Sequence, residues 1–240
     1  MKASISAGHG ILVAAGVDID SGAGAIDLQG TTNGDGFGGI YMCWYRASAN
    51  CKITSSKPTG DAIYLKGVNN ASSPSSTWSS GMRDDDTGTT NSQSVIKADG
   101  GGQIVVDAYR VDGATVGWDA LFSGLSFIST SGDIYFNGRT AGFVFGHQGP
   151  IVIGGATSSA STADVFINSN GYWDEGSSVS YNTTGTVSIT PYGNSFRSAA
   201  SNNNLQANTV LSGVTGFTYG KATNTTTLTV SASINIAGNI

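Results

Sequence analysis

The sequence predicts an all-β protein, a single-stranded right-handed parallel β-helix, with a β-sandwich as the alternative. Three observations lead to this fold class. Gly, Ser, Thr and Asn supply 109 of the 240 residues and Glu occurs once, a composition that disfavours helix. Ile, Val and Phe alternate with polar residues, which is typical of strands. Turn formers recur at such short intervals that strands of five or six residues, the usual length in a sandwich, seldom fit.

The strand elements share one pattern along the whole chain: two apolar residues flank one other residue, and a turn former closes the unit. In chain order the units are GVDIDSG (16–22), GAIDLQG (24–30), GDAIYLKG (60–67), GGQIVVDA (101–108), GDIYFNG (132–138), GPIVIGG (149–155), ADVFINS (163–169), GTVSITP (185–191) and TLTVSAS (227–233). Stacked units place their apolar side chains in interior ladders. The residues expected in these ladders are Ile26, Ile63, Ile104, Ile134, Ile151 and Val187.

Two longer stretches repeat at a higher order and set the expected size of a turn. One run of apolar pairs, Val17/Ile19, Ile26/Leu28 and Ile40/Met42, matches a second run, Phe143/Phe145, Ile151/Ile153 and Val165/Ile167. The spacings predict roughly 20 residues per turn, about ten to twelve turns and a rod on the order of 50 Å long. Residues 1–240 are expected to form one domain, because no shift of composition marks a second. Polar segments at about 66–98 and 191–204 are expected to be loop excursions from it.

The recurrent units carry a resemblance to a known family. SGAGAIDLQG, TSGDIYFNG and QGPIVIGG, with Asn, Ser and Thr between them, resemble the β-helical shafts of large secreted bacterial adhesins of the filamentous-haemagglutinin type. The resemblance implies a secreted or cell-surface fibre segment that is not an enzyme and takes part in adhesion.

Charge and cysteine content narrow the possible partners and the compartment. The formal net charge is −5, and no cluster of Lys and Arg of the kind that binds phosphates is present, so nucleic acid is not an expected partner. No apolar stretch is long enough for a transmembrane helix. Cys43 and Cys51 are eight residues apart and form a possible disulfide, which is compatible with a secreted protein.

Acidic residues offer two candidate sites, each with a simpler interpretation. Asp84, Asp85 and Asp86 follow Arg83 and are a possible calcium site, although a solvated acidic loop is the favoured interpretation and no cofactor is expected. A second group could serve a β-helical lyase or hydrolase that acts on a polysaccharide, the alternative function. It consists of Asp107, Arg110, Asp112 and Asp119, and ordinary surface positions are the favoured interpretation of Asp107 and Asp112.

Aromatic residues are the candidates for contact with a sugar or a protein partner. Trp78 and Trp173, with Tyr172, lie in polar segments where no interior ladder requires them. His9 and His147 each stand in a glycine turn and are expected to be turn residues.

The chain ends suggest self-association. The pairs Leu228/Val230 and Ile234/Ile236 repeat the spacing of Ile11/Val13 and Val17/Ile19. Either the chain is a segment of a longer shaft, or copies of it stack end to end into fibres. End-to-end stacking is the expectation, with Ile11, Val13, Ile234 and Ile236 near the junction. Host or environmental glycans or proteins are the other possible partners, and the expected function is a structural, adhesive β-solenoid.

Overall fold

A computed structural model describes residues 1–5, 8–44, 50–72, 76, 78–84, 94–111, 117–197, 203–234 and 236–237. Over these residues the chain forms 23 β-strands and no helix. Accordingly, the described part of the chain contains no helix that could cross a membrane. The all-β class predicted from composition is confirmed.

The strands are short, most of them three to five residues, and follow one another along the whole chain. In chain order they are β1 (Lys2–Ile5), β2 (Ile11–Ala14), β3 (Asp18–Asp20), β4 (Ile26–Thr32), β5 (Gly38–Trp44), β6 (Lys52–Ser55), β7 (Asp61–Asn69), β8 (Ser80–Asp84), β9 (Val95–Ala98), β10 (Gln103–Arg110), β11 (Trp118–Phe122), β12 (Ser126–Ser129), β13 (Ile134–Asn137), β14 (Phe143–Phe145), β15 (Ile151–Gly154), β16 (Val165–Asn168), β17 (Tyr172–Asp174), β18 (Val179–Asn182), β19 (Thr186–Thr190), β20 (Asn203–Leu205), β21 (Thr209–Ser212), β22 (Gly216–Tyr219) and β23 (Thr229–Val230).

Every third strand belongs to the same sheet, which makes the chain a coil of three faces. Sheet A has the order β1-β4-β7-β10-β13-β16-β19-β22, sheet B has β2-β5-β8-β11-β14-β17-β20-β23, and sheet C has β3-β6-β9-β12-β15-β18-β21. Neighbouring strands within each sheet are parallel, so each strand pairs with its counterparts in the turns before and after. The predicted parallel β-helix is therefore confirmed over the described residues. The right-handed sense of the coil stays a prediction.

The predicted size of a turn is wrong. A turn takes 22 residues between Val165 and Val187 and 41 between Ile63 and Ile104. Sheet A contains eight strands, which span roughly 34 Å at the usual separation of parallel strands. The error arose because neighbouring apolar pairs belong to successive faces of one turn. The two runs that matched in sequence begin on different faces, since Ile19 lies in sheet C and Phe143 in sheet B.

The interior is built from ladders of apolar side chains, as predicted. In sheet A the register joins Ile26, Ile63, Ile104, Ile134, Val165 and Val187 in one ladder. Ile151 is also buried but lies in sheet C, opposite Val179. In the middle of the coil all three sheets contribute to a cluster of fully buried rings, which we call the phenylalanine cluster. Its members are Phe122, Phe127, Phe136, Phe143 and Phe145.

A column of glycines lets sheets A and B approach closely. In sheet B, the residue just before the first inward residue of each of the first three strands is a glycine. These glycines are Gly10, Gly39 and Gly81. A Cβ atom at Gly39 would lie 2.2 Å from the backbone nitrogen of Val68 in sheet A, so only glycine fits there. In the fourth turn the same position holds Asp119.

The predicted loop excursions contain strands as well as loops. The segment 66–98 includes the end of β7 and all of β8 and β9, and the segment 191–204 runs into β20. The sequence of β8 contains one apolar inward residue, Met82, which is too weak a pattern to identify a strand.

A disulfide links Cys43 and Cys51, and both residues are buried. Val13 pairs with Met42 and Ala14 with Trp44, so Cys43 is the extra residue of a β-bulge and has a φ of 58°. The bulge breaks the alternation of β5 immediately after the inward Met42.

The residues of the predicted fibre junction lie near the two ends of sheet B. Ile11 and Val13 are buried in β2, the first strand of that sheet. Ile234 and Ile236 are partly buried and pack against the hydrophobic core beyond β23. Their role in self-association stays a prediction.

Candidate functional site

The outer face of sheet A presents half-exposed side chains in register across successive turns. One row, which we call the outer row, contains Tyr64, Val105, Tyr135, Phe166 and Ser188. The rings of Tyr135 and Phe166 are stacked, with centroids 5.0 Å apart and planes 12° from parallel. Strand alternation explains the row, because each of these residues sits between two inward residues of its strand.

A ladder of polar side chains runs beside the outer row, two residues further along each strand. The amide ladder, as we call it, contains Asp107, Asn137, Asn168 and Thr190. Asn137 donates to Asp107 at 2.8 Å, Asn168 to Asn137 at 3.4 Å, and Thr190 to Asn168 at 2.8 Å. Each hydrogen bond crosses from one turn to the next, so the ladder holds the polar groups in a fixed line.

Tyr64 ties the outer row to the amide ladder. Its hydroxyl donates to Asp107 Oδ2 at 2.8 Å. Burial is the main cause that raises the pKa of Tyr64 above its usual range, and the hydrogen bond to Asp107 acts in the same direction. The phenol thus keeps its proton, and Asp107 is held from both sides.

A groove adjoins this face where β10 and β13 end. Its cavity volume is about 430 Å³, and it is lined by Asn70, Tyr109, Arg110, Val111, Arg139, Thr140 and Tyr192. Tyr109 lies on the same side of β10 as Asp107, so the groove continues the outer face of sheet A. The guanidinium of Arg139 lies 4.7 Å from the ring centroid of Tyr109.

Among the residues predicted for a polysaccharide-cleaving enzyme, Arg110 and Asp119 are in contact, but both are buried. Asp107 points outward and Arg110 inward on β10, and Arg110 is 2% exposed. Asp119 is buried, and its oxygens accept four backbone N–H groups, from Arg110, Thr140, Ala141 and Gly142. Asp107 thus takes the outward position favoured for it, whereas Arg110 and Asp119 are buried. Asp112 lies outside the described residues.

The structure also corrects the expectation for Asp84, the first residue of the candidate calcium site. Asp84 is fully buried at the end of β8, not solvated in a loop. Its carboxylate accepts the backbone N–H of Ser123 at 2.6 Å and that of Gly124 at 3.1 Å, in the next turn. Asp85 and Asp86 lie outside the described residues. Among the residues that are described, no group of three His, Cys, Asp or Glu side chains could hold a metal ion.

Two of the predicted aromatic contact residues lie over the outer side of sheet B. Trp78 is 43% exposed, and its ring lies 5.9 Å from that of His147. His147 Nδ1 lies 2.6 Å from a carboxylate oxygen of Glu175. The ring of Trp173 lies 5.5 Å from that of Trp118, so each tryptophan already has an aromatic or imidazole neighbour.

The expectation for Tyr172 is wrong, because this ring is fully buried in the interior of the coil. Its hydroxyl lies 2.6 Å from that of Tyr181 and donates to Asp174, whose other oxygen accepts from Thr209. The polar flanks of Tyr172 in the sequence obscured its inward position, which follows Phe143 in the register of sheet B.

His9 is not a simple turn residue. Its Nδ1 accepts the backbone N–H of Gly38 at 3.0 Å, and its ring lies 4.3 Å from that of Tyr41. Burial, followed by the positive charge of Arg83, lowers the pKa of His9 to about 4. The imidazole is therefore neutral and structural at neutral pH.

Asp174 should give the coil a stability that depends on pH. Burial raises its pKa to about 7, against the hydrogen bonds from Thr209 and Tyr172. Between pH 4 and 7 the folded state holds a proton that the unfolded state, with a pKa of about 3.9, has lost. Stability therefore falls as the pH rises through this window and is independent of this group above it. Asp119, with its pKa raised to about 6 by burial, acts in the same direction, and His9 acts in the opposite one.

The prediction is tested by comparing how the free energy of unfolding changes with pH in the wild type and in Asp174→Asn. From pH 5 to pH 8 the wild type should lose about 3 kcal/mol of unfolding free energy relative to the variant, whose amide does not ionise. Urea unfolding followed by circular dichroism at both pH values measures this difference. If the free energy of unfolding changed with pH by the same amount in both proteins, Asp174 would not be the source of the pH dependence.

Comparison with protein families, with curated proteins and with solved structures finds no match for this chain. The assignment as a parallel β-helix rests on the strand order and register of the chain itself.

Proposed function

We propose that the protein is a non-enzymatic, adhesive β-helix that is secreted or held at the cell surface. In this proposal the outer face of sheet A binds an extended glycan. The observation that carries this proposal is the alignment of the outer row with the amide ladder over successive turns. The sequence resemblance to adhesin shafts supports the same conclusion.

The chemistry of this face suits a saccharide. Aromatic side chains such as Tyr135 and Phe166 pack against the apolar C–H groups of a sugar, and their rigid rings lose little entropy on binding. The amide ladder offers donors and acceptors in a line, which suits the hydroxyl groups of a chain of sugars. Because the same arrangement recurs from turn to turn, weak contacts add along the chain.

The enzymatic alternative has less support from the predicted residues. A glycosidase needs two carboxyl groups that face each other across the scissile bond. Asp107 is held in the amide ladder, and Asp119 lies in the interior with its oxygens engaged by backbone groups. The alternative is tested by product analysis in the experiment below.

The proposal also includes end-to-end association of copies through Ile11, Val13, Ile234 and Ile236. Val230 supports it, because this residue of the edge strand β23 is 47% exposed. Light scattering over a concentration series measures the association, and a compact monomer at every concentration would contradict it.

Binding to immobilised polysaccharides of neutral and acidic types tests the adhesive function. We expect the wild type to bind at least one of them and the double variant Phe166→Ala/Asn168→Ala to bind it at least tenfold more weakly, since both contact types are lost. Ser180→Ala, on the outer side of sheet C, is the matched control and should bind like the wild type. Equal binding by the double variant would overturn the proposal. Release of shortened saccharides would favour the enzyme.

A further inference from the structure

Arginine side chains are concentrated at the groove beside sheet A, more than anywhere else in the described part of the chain. The sequence contains five arginines, and three of them, Arg110, Arg139 and Arg197, meet here. None of the residues that line the groove is acidic. The protein as a whole carries a net charge of −5, so this concentration is not a consequence of a basic composition.

Arg139 stands at the rim of the groove, close to two aromatic rings. Its guanidinium lies 4.7 Å from the ring centroid of Tyr109 and 5.9 Å from that of Tyr192. Asn170 donates to the backbone carbonyl of Arg139 at 2.5 Å and so anchors the chain beneath it. The ion pairs between described residues do not include Arg139. A guanidinium held between two aromatic rings presents its planar edge to a ligand.

Arg110 adds a buried charge next to the groove. Only 2% of its surface is exposed, and none of its guanidinium nitrogens has a hydrogen-bond partner among the described residues. The charge of Asp119 favours the protonated form of Arg110, but no hydrogen bond joins its carboxylate to the guanidinium. A buried cation without a partner is costly, and an anion bound close by lowers that cost.

Thr140 connects the three arginines. Its hydroxyl donates to the backbone carbonyl of Arg110 at 2.7 Å, and its own carbonyl accepts from Arg197 at 3.1 Å. Arg197 is exposed, and its charge contributes to the lowered pKa of Arg110, of which burial is the main cause. The backbone thus fixes the cluster at the end of sheet A.

We propose that this groove binds the carboxylate of an acidic sugar, as one subsite of the glycan carried by the outer face of sheet A. The inference rests on the proposed function and names the class of glycan. A carboxylate matches the planar fork of Arg139 in a bidentate contact, and Tyr109 and Tyr192 flank the sugar ring that bears it. The volume of about 430 Å³ lies at the small end of the usual range for ligand sites, which suits a single sugar unit.

A nucleic acid fits this surface less well. Its phosphates would extend from the groove along sheet A, where Asp107, Asp133 and Asp164 lie on the outer side. A saccharide with a single uronic acid unit can place its carboxylate in the groove and the hydroxyl groups of its neutral units against the amide ladder.

The test compares two ligands by isothermal titration calorimetry: an otherwise neutral hexasaccharide that carries one uronic acid unit, and the methyl ester of that unit, which has no charge. We expect the wild type to bind the acid at least tenfold more tightly than the ester, with a preference that shrinks as NaCl rises from 50 to 200 mM. Arg139→Gln should lose most of that preference and bind the ester like the wild type. Lys97→Gln removes an exposed charge on sheet C and is the control, which should keep the preference.

The outcomes separate the two proposals. Equal binding of acid and ester by the wild type, an unchanged preference in Arg139→Gln, or failure of the wild type to bind the acid would overturn the groove assignment. Tighter binding of a twelve-residue oligothymidylate than of the acid would overturn it as well. Unchanged affinity of Phe166→Ala/Asn168→Ala for the acid would overturn the function proposed for sheet A while leaving the groove as an anion site.

Discussion

Replacing Phe136 by alanine is expected to lower the free energy of unfolding by about 3–5 kcal/mol. Phe136 is fully buried on β13 and lies at the centre of the phenylalanine cluster. Its ring centroid is 4.8 Å from that of Phe127 and 5.2 Å from that of Phe145. Because these partners belong to sheets C and B, one substitution removes contacts between all three faces of the coil. The surrounding rings are attached to hydrogen-bonded strands and can close the cavity only in part.

Urea unfolding followed by circular dichroism measures the effect of Phe136→Ala. The matched control is Phe166→Ala, which removes the same side chain from the half-exposed outer row of the next strand in sheet A and should cost about 1 kcal/mol. Phe136→Leu should recover part of the loss. Each turn of a solenoid contacts only its neighbours, so amide exchange should accelerate most in β12 to β14. Equal destabilisation by the two alanine variants would contradict the packing described for the cluster.

Asp119→Ala is expected to have an effect of similar size for a different reason. The carboxylate accepts the backbone N–H groups of Thr140, Ala141 and Gly142 at 2.9 to 3.0 Å, and that of Arg110 at 3.3 Å. Alanine would leave these four donors in the interior without an acceptor. Since an unsatisfied buried donor costs about 1–3 kcal/mol, a loss of about 4 kcal/mol or more is expected.

The control for Asp119→Ala is Asp61→Ala, an exposed aspartate at the start of β7, which should change stability by less than about 0.5 kcal/mol. The loss of unfolding free energy in Asp119→Asn should lie between the losses in Asp119→Ala and Asp61→Ala, because the amide offers one acceptor oxygen in place of two. Thermal unfolding and urea unfolding of the three variants at pH 7 provide the comparison. Wild-type stability in Asp119→Ala would show that water or a backbone shift satisfies the four donors.

The sequence carried enough information for the class of fold and for the interior. The alternation around Ile26, Ile63 and Ile104 identified the inward residues, since every second side chain of a strand faces the same way. The number of turns could not be read in the same way. A turn of three faces contains several similar apolar pairs, and nothing in the pair Phe143/Phe145 tells that it lies in sheet B and not in sheet C.

The candidate site was largely beyond sequence reasoning because it depends on register. Arg110 and Arg139 are 29 residues apart, and the pairing of β10 with β13 brings their ends together. The sequence drew attention to Arg110 through its neighbouring aspartates, whereas Arg139 carried no signal beyond the scarcity of arginine, five in the chain. Polar neighbours in the sequence led to the wrong expectation that Asp84 and Tyr172 are accessible to solvent or to a partner, whereas both are buried.

The parallel ladders also determine how such a rod responds to mechanical tension. Each turn is hydrogen-bonded only to the turns before and after it, so these bonds run along the axis of the coil and carry a pulling force in series. The weakest turn then opens first and releases its whole length while the others stay folded. The turn from Ile63 to Ile104, with 41 residues, would release on the order of 140 Å of chain. A coil of this kind lengthens in steps under load.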